Sequence, residues 1–177
     1  MKDKKIKEVI LDDFLDWKKI EGKLEGHDGC YWCLGVSQTK YRKEEDYSRI
    51  TYGYTMAAAK VLEKLNPGMT FCFLSGLGTD ETQKSRMMWA RVKGRAEADL
   101  KKFDFKVYNF RPAFIHPIKG RKSHYMSMRI LYPVIKKSKR SVIEAEVFGQ
   151  AMINVTLYGS DKHTLKNVDM WDLAKKY

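Results

Sequence analysis

Three short strand-like runs constrain this chain more than any other feature: the continuous apolar run at residues 30–34 (CYWCL), and residues 70–74 (TFCFL) and 105–110 (FKVYNF). Runs of this length, closed by glycine, proline or polar residues, have the pattern of strands covered on both faces. Between them lie stretches in which apolar residues recur every three or four positions. Tyr47, Ile50, Tyr54, Ala58, Val61 and Leu65 form one such stripe, stopped by Asn66-Pro67-Gly68. Met88, Val92, Ala96 and Leu100 form another, within a helix expected over residues 82–102. Strands alternating with helices point to right-handed βαβ units, so the expected fold class is α/β with a parallel sheet. Residues 6–11 read as a further short strand and residues 15–24 as a brief helical or irregular stretch. Residues 141–157 read as a last long helix, and residues 165–176 as a short closing element.

Composition sets the outer bounds. With 177 residues, 44% of them apolar and 12% aromatic, the chain suits one globular domain that needs no covalent staples. No stretch approaches the roughly 18 consecutive apolar residues of a membrane span. The charged start, residues 1–7, resembles neither a signal nor a transit peptide, so a cytoplasmic location is expected. Three cysteines, an odd number, argue against a disulfide scaffold. Cys30 and Cys33 form a C-x-x-C, which invites a redox or metal reading. No second Cys or His pair stands at ligand spacing, however, and residues three apart on a strand point to opposite faces. The thiols are therefore read as buried small hydrophobes, and no metal is expected.

The formal net charge is +12, unevenly spread. Residues 116–140 hold eight of the 34 basic residues and no Asp or Glu, leaving 26 basic against 22 acidic residues elsewhere. Such a segment suits nucleic acid, an acidic membrane surface or a phosphorylated ligand, and equally a solvated loop and helix. Aromatic residues there (Tyr125, Tyr132) are few and no nucleic-acid reading module is visible, so nucleic acid ranks low.

In open parallel sheets the ligand lies outside the carboxyl ends of the strands. Those ends carry Asp13-Phe14, Leu34-Gly35-Val36, Ser75-Gly76-Leu77-Gly78 and Phe110-Arg111-Pro112. Glycine directly after a buried strand lets a flat ligand approach the backbone, or merely makes a turn. Trp89 and Lys93 lie one helical turn apart and share a face. An ammonium so placed donates to ribose hydroxyls or is a surface lysine beside an indole, and spacing alone favours the latter.

The set Cys-Leu-Gly-Val-Ser (33–37), Asn-Pro-Gly-Met-Thr-Phe (66–71), Ser-Gly-Leu-Gly-Thr-Asp (75–80), Met-Trp-Ala-Arg-Val-Lys-Gly (88–94) and Asn-Phe-Arg-Pro (109–112) resembles the bacterial epimerase-like NAD(P)-binding proteins. These are similar to extended and atypical short-chain dehydrogenases/reductases, and the likeness runs over residues 6–174. It implies a three-layer Rossmann-like parallel sheet and NAD or NADP as cofactor. By the same resemblance Asp13 and Phe14 flank the adenine, and Leu34, Gly35 and Val36 line the adenosine side. Ser75 matches the serine that orients substrate or the catalytic tyrosine, and Lys93 the lysine that holds the nicotinamide ribose. Arg111 and Pro112 border the nicotinamide end.

Two departures from the family pattern stand out. Trp89 occupies the tyrosine position of Tyr-x-x-x-Lys, where lysine lowers the tyrosine pKa for proton transfer. An indole N–H donates a hydrogen bond but is no useful acid or base. Tyr108, Tyr125 and His116 are the candidate substitutes. The chain also has no G-x-G-x-x-G, the loop that holds the pyrophosphate, and begins where the family's third strand would begin. The expectation is one truncated domain over residues 1–177, its sheet incomplete in the N-terminal half. The strand at residues 6–11 is expected to collapse beside residues 30–34, or another chain to fill that place and give a homo-oligomer through the open edge. The expected function is an NAD(P)-binding oxidoreductase or epimerase-like protein acting on an unknown small molecule, weak or inactive as this chain alone. The alternative is a non-catalytic nucleotide-sensing or protein-interaction module.

Overall fold

A computed structural model describes residues 5–41, 43–116, 118 and 138–176. In chain order the strands are β1 (Gly29–Trp32), β2 (Thr70–Leu74), β3 (Lys106–Arg111), β4 (Phe114–His116), β5 (Val142–Glu144) and β6 (Thr164–Lys166). The helices are α1 (Glu44–Ser48), α2 (Tyr54–Leu65), α3 (Met88–Leu100), α4 (Ala145–Tyr158) and α5 (Asn167–Lys175). A π-helical turn, Arg49–Gly53, joins α1 to α2. Four strands form one parallel sheet in the order β1-β2-β3-β6. The expected α/β class with a parallel sheet between helical layers is the one found.

Side-chain alternation along the strands divides the core in two. Trp32, Phe71, Phe73 and Val107 point to one face, where Met56, Ala58, Ala59 and Leu62 of α2 and Ala96 and Leu100 of α3 meet them. Cys72, Tyr108 and Phe110 point to the other, under Ala151 and Val155 of α4 and Met170 of α5. Phe71, Phe73 and Phe110 are wholly buried, each stabilising the fold by about 2–3 kcal/mol relative to exposure. Among the described residues no helix is long and apolar enough to cross a membrane.

Several local expectations are corrected. Residues 6–11 form no strand, and Ile6 and Ile10 are 74% and 82% exposed, so that segment does not fill the place beside β1. The chain instead docks one stretch later. Phe14 and Trp17 pack edge-on at 5.9 Å, and Phe14 reaches Trp32 at 6.5 Å and Tyr54 at 5.6 Å, which draws the segment onto the α2 face rather than the sheet edge. Among the described residues β2 is the one neighbour of β1. The carboxyl end of that strand is covered on one face alone: Trp32 is buried, whereas Tyr31 is 44% exposed and Cys33 lies in the open just past the strand.

The first helical stripe is also rotated from its expected phase. Tyr47, Thr51, Thr55, Ala58, Ala59 and Leu62 are buried, and Ile50, Tyr54, Val61 and Leu65 lie half-exposed. The wide π-turn breaks the 3.6-residue period. Thr55 is accommodated in the core because its hydroxyl donates to the Thr51 carbonyl (2.7 Å) and accepts from the Trp32 indole (2.8 Å). The second long helix begins at Met88 rather than residue 82, and the last at Ala145. Residues 142–144 pair with β4 as a separate two-stranded parallel sheet. Most of the basic segment (117 and 119–137), with Tyr125 and Tyr132, lies outside the described residues.

Candidate functional site

The carboxyl end of β2 and the first turns of α3 build the one place where several of the expected residues meet. Lys93 projects from α3 to the strand end, where its Nζ donates to the Leu74 carbonyl (2.8 Å) and, at 3.5 Å, to that of Ser75. The ammonium lies 5.5 Å from the Phe73 ring centroid. Burial pulls its pKa down to about 8, against the opposing influence of Glu97 and of Cys33. Cys33, past the end of β1, is therefore within electrostatic reach of the amine.

The loop after β2 is stitched to β3. The Ser75 amide donates to the Phe110 carbonyl and the Leu77 amide to that of buried Pro112, at 2.8 and 2.9 Å. Ser75 and Thr79, both buried, share a hydroxyl hydrogen bond of 2.8 Å. The benzo edge of the Trp89 indole rests on this loop. A Cβ at Gly76 would stand 3.2 Å from Trp89 Cζ3, and one at Gly78, where φ is +97°, 3.4 Å from Cη2. Those two glycines thus make room for a large ring rather than for a phosphate.

Asp80 then turns the chain into α3. Its carboxylate accepts from the Thr82 hydroxyl and from the amides of Thr82, Lys84 and Ser85, which together hold its pKa below the usual range. The helix passes so close that a Cβ on Gly94 would lie 1.8 Å from the Asp80 carbonyl oxygen. Gln38, from the loop after β1, accepts from the Trp89 amide (3.4 Å) and so supplies one of the missing partners at the amino end of α3.

The other sequence-predicted residues are placed differently. Leu34 is half-buried at the fringe of the α2-side core, Val36 is half-buried, and Gly35 is exposed with no atom within 4 Å of where a Cβ would sit. Asp13 is exposed and caps its own turn, accepting from the Leu15 amide (2.9 Å), and Phe14 belongs to the aromatic cluster on Trp32. Arg111 turns toward α3. Its Nε donates to Glu97 (3.0 Å), and its Nη2 to both Glu97 and Glu81. Tyr108 lies on the opposite sheet face from Lys93, stacked on His163 and accepting from the Ser160 amide (3.1 Å), so it does not stand in for the missing tyrosine. His116 is half-buried on β4.

Sequence reasoning missed Thr79, Gln38 and Glu97. Glu97 follows Lys93 by one helical turn, a spacing legible in the sequence, but its complete burial was not. Two surface clefts, of about 530 and 550 Å³, lie elsewhere: one along α5 and the loop before β6, the other around residues 65–70 at the amino end of β2. Neither touches Lys93. Among the described residues no group of three His, Cys, Asp or Glu could hold a metal ion.

No family model and no curated protein sequence matches the chain. Solved structures do resemble it. UDP-N-acetylglucosamine 4-epimerase from Methanobrevibacter ruminantium M1, in complex with UDP-N-acetylmuramic acid, superposes with a TM-score of 0.60 at 12% identity, over 87% of this chain and 58% of that one. RMD from Pseudomonas aeruginosa, complexed with NADPH, gives 0.57 at 14% identity over 88% and 64%. UDP-N-acetylglucosamine 4-epimerase from Bacillus cereus gives 0.58 at 13% over 89% and 67%. The epimerase-like Rossmann fold implied by the sequence motifs is the fold observed, and at these identities the likeness shows the fold alone. The chain spans a little under three fifths of the length of the first of these proteins.

Proposed function

We propose that this chain binds a nicotinamide dinucleotide at the carboxyl ends of β1–β3, with the nicotinamide ribose at Lys93. The observation that carries this reading is the Lys93 amine, held by the Leu74 carbonyl at 2.8 Å beside Ser75. It stands in a fold shared with RMD from Pseudomonas aeruginosa, which was solved with NADPH. A protonated lysine has three N–H bonds. Two face the Leu74 and Ser75 carbonyls and the third is left for a ribose hydroxyl. Gly35 leaves open space at the end of β1, and Asp13, Phe14, Leu34 and Val36 are the residues assigned to the adenosine side.

The fit is good at the ribose end and incomplete at the pyrophosphate. The chain carries no G-x-G-x-x-G, and the Arg111 guanidinium is committed to Glu97 and Glu81, which leaves Pro112 as the border of the nicotinamide end. A bound dinucleotide would supply hydride transfer to or from a small carbonyl or hydroxyl compound. Ser75 would orient that compound, and Trp89 would donate one hydrogen bond to it without exchanging a proton. Trp89 in the acid/base position also favours a second reading, a non-catalytic module that senses the dinucleotide.

Titration with NADH and with NADPH, followed by tryptophan fluorescence, tests the proposal. Saturable quenching is expected, of weak affinity because the pyrophosphate donors are missing, and reduced in Trp89→Phe because that indole lies at the site. Lys93→Met should weaken binding by roughly tenfold or more, about 1.4 kcal/mol. Absence of binding up to millimolar dinucleotide refutes the proposal. Binding without turnover of any carbonyl or hydroxyl compound favours the sensing module.

A further inference from the structure

Two features of this chain each lack a partner. The first is the outer edge of β1, beside which no described residue forms a strand. Such an edge presents N–H and C=O groups to any extended segment that reaches it. The second is the segment 6–11 (IKEVIL), rich in β-branched residues yet part of no strand. Its Ile6 and Ile10 side chains lie mostly in water, an unfavourable place for apolar surface.

Within the chain the two are kept apart. Asp13 caps the turn at Leu15, and Phe14 packs on Trp17 and on Tyr54 of α2. Leu11 rests at the fringe of that same core. Residues 6–10 precede this anchor, and fully extended they span about 17 Å. That length is enough to run along all four residues of β1.

The two surfaces match in shape and charge. Ile6, Glu8 and Ile10 share one face of an extended segment. On β1, Gly29 and Tyr31 share the face toward α4, where Thr156 sits over Gly29 and Tyr31 is left in the open. Ile153 and Leu157 flank Thr156 on that side of α4 and are exposed. Tyr31, Ile153 and Leu157 thus offer apolar surface to the two isoleucines of an added strand. The joint is also neutral in a chain of formal charge +12. Residues 29–37 hold no charged side chain, and residues 5–12 hold two basic (Lys5, Lys7) against two acidic (Glu8, Asp12). Repulsion between two cationic copies is therefore least here, and a polyanionic partner finds no attraction.

We propose that the chain self-associates by strand addition, residues 6–10 of one copy pairing with the outer edge of β1 of a second copy. Reciprocal exchange closes a dimer with two such joints. This association needs no dinucleotide and does not rest on the binding proposal above.

The test joins sedimentation velocity to amide hydrogen exchange on the full chain, from micromolar to near-millimolar protein. A monomer–dimer transition is expected, and the outward amides of β1 should gain protection along with it. Ile6→Asp/Ile10→Asp alters two mostly exposed side chains. It should weaken association by roughly tenfold or more and leave the melting temperature of the dilute monomer unchanged. Three outcomes overturn the proposal. They are a monomer at every concentration, a dimer indifferent to the two substitutions, and β1 protection independent of concentration, the mark of a segment folded back on its own chain.

Discussion

At the scale of single residues, α3 carries two buried titratable groups with opposite solutions to burial. Glu97 is wholly buried and keeps company with Arg111, which binds both its oxygens. Removing one partner of such a pair strands a charge. Arg111→Ala should therefore destabilise the fold by about 3–5 kcal/mol, read from urea unfolding, and an Arg111→Met/Glu97→Met double variant should recover most of that loss. Lys93 has no such partner, and its pKa falls to about 8. Because this folded-state value lies below the unfolded one, the unfolded chain binds more protons between about pH 8 and 10. The stability lost to Lys93 is thus fully lost below pH 8 and regained as pH rises toward 10. Lys93→Met should be more stable than the parent by about 1–3 kcal/mol at pH 7, a gap that closes by pH 10. An unchanged gap across that range would show that Lys93 titrates normally.

At the scale of elements, the aim of α3 depends on how closely it passes the Asp80 turn. Gly94→Ala would place a methyl 1.8 Å from a backbone oxygen that cannot move aside alone. A loss of about 2–4 kcal/mol, or failure to fold, is expected in a thermal melt. Gly78→Ala, at φ +97°, should cost about 1–2 kcal/mol and unseat Trp89. The stripe on α1–α2 shows why periodicity misassigned a face. A 3.6-residue template cannot see the π-turn at Arg49–Gly53. Nor does it credit Thr55, whose hydroxyl is satisfied inside the core by Thr51 and Trp32. The β2 and β3 runs, by contrast, were legible almost to the residue, because strands buried on both faces are mostly apolar, with Thr70 and Asn109 as buried polar exceptions.

At the scale of the whole molecule, the sheet ends on a parallel strand, β1, whose outer edge has no strand beside it among the described residues. Tyr31 is half-exposed there. At concentrations where the chain is single, amide hydrogen exchange should find the outward-facing amides of β1 nearly unprotected and those of β2 protected to the level of global unfolding. Protection along the β1 edge, dependent on concentration, would reveal a second chain docked on it.

The sequence by itself determined the class of fold, the parallel sheet and the positions of β2 and β3, because local apolar pattern reports which surfaces must leave water. It also pointed to Ser75, Trp89 and Lys93 through their motifs. Only the tertiary structure decided that Trp89 rests on Gly76 and Gly78, that Arg111 serves Glu97, that Tyr108 lies across the sheet from Lys93, and that residues 6–11 form no strand beside β1. Those outcomes turn on contacts between residues distant along the chain. The energy of such a contact depends on burial and on partners that no local pattern encodes.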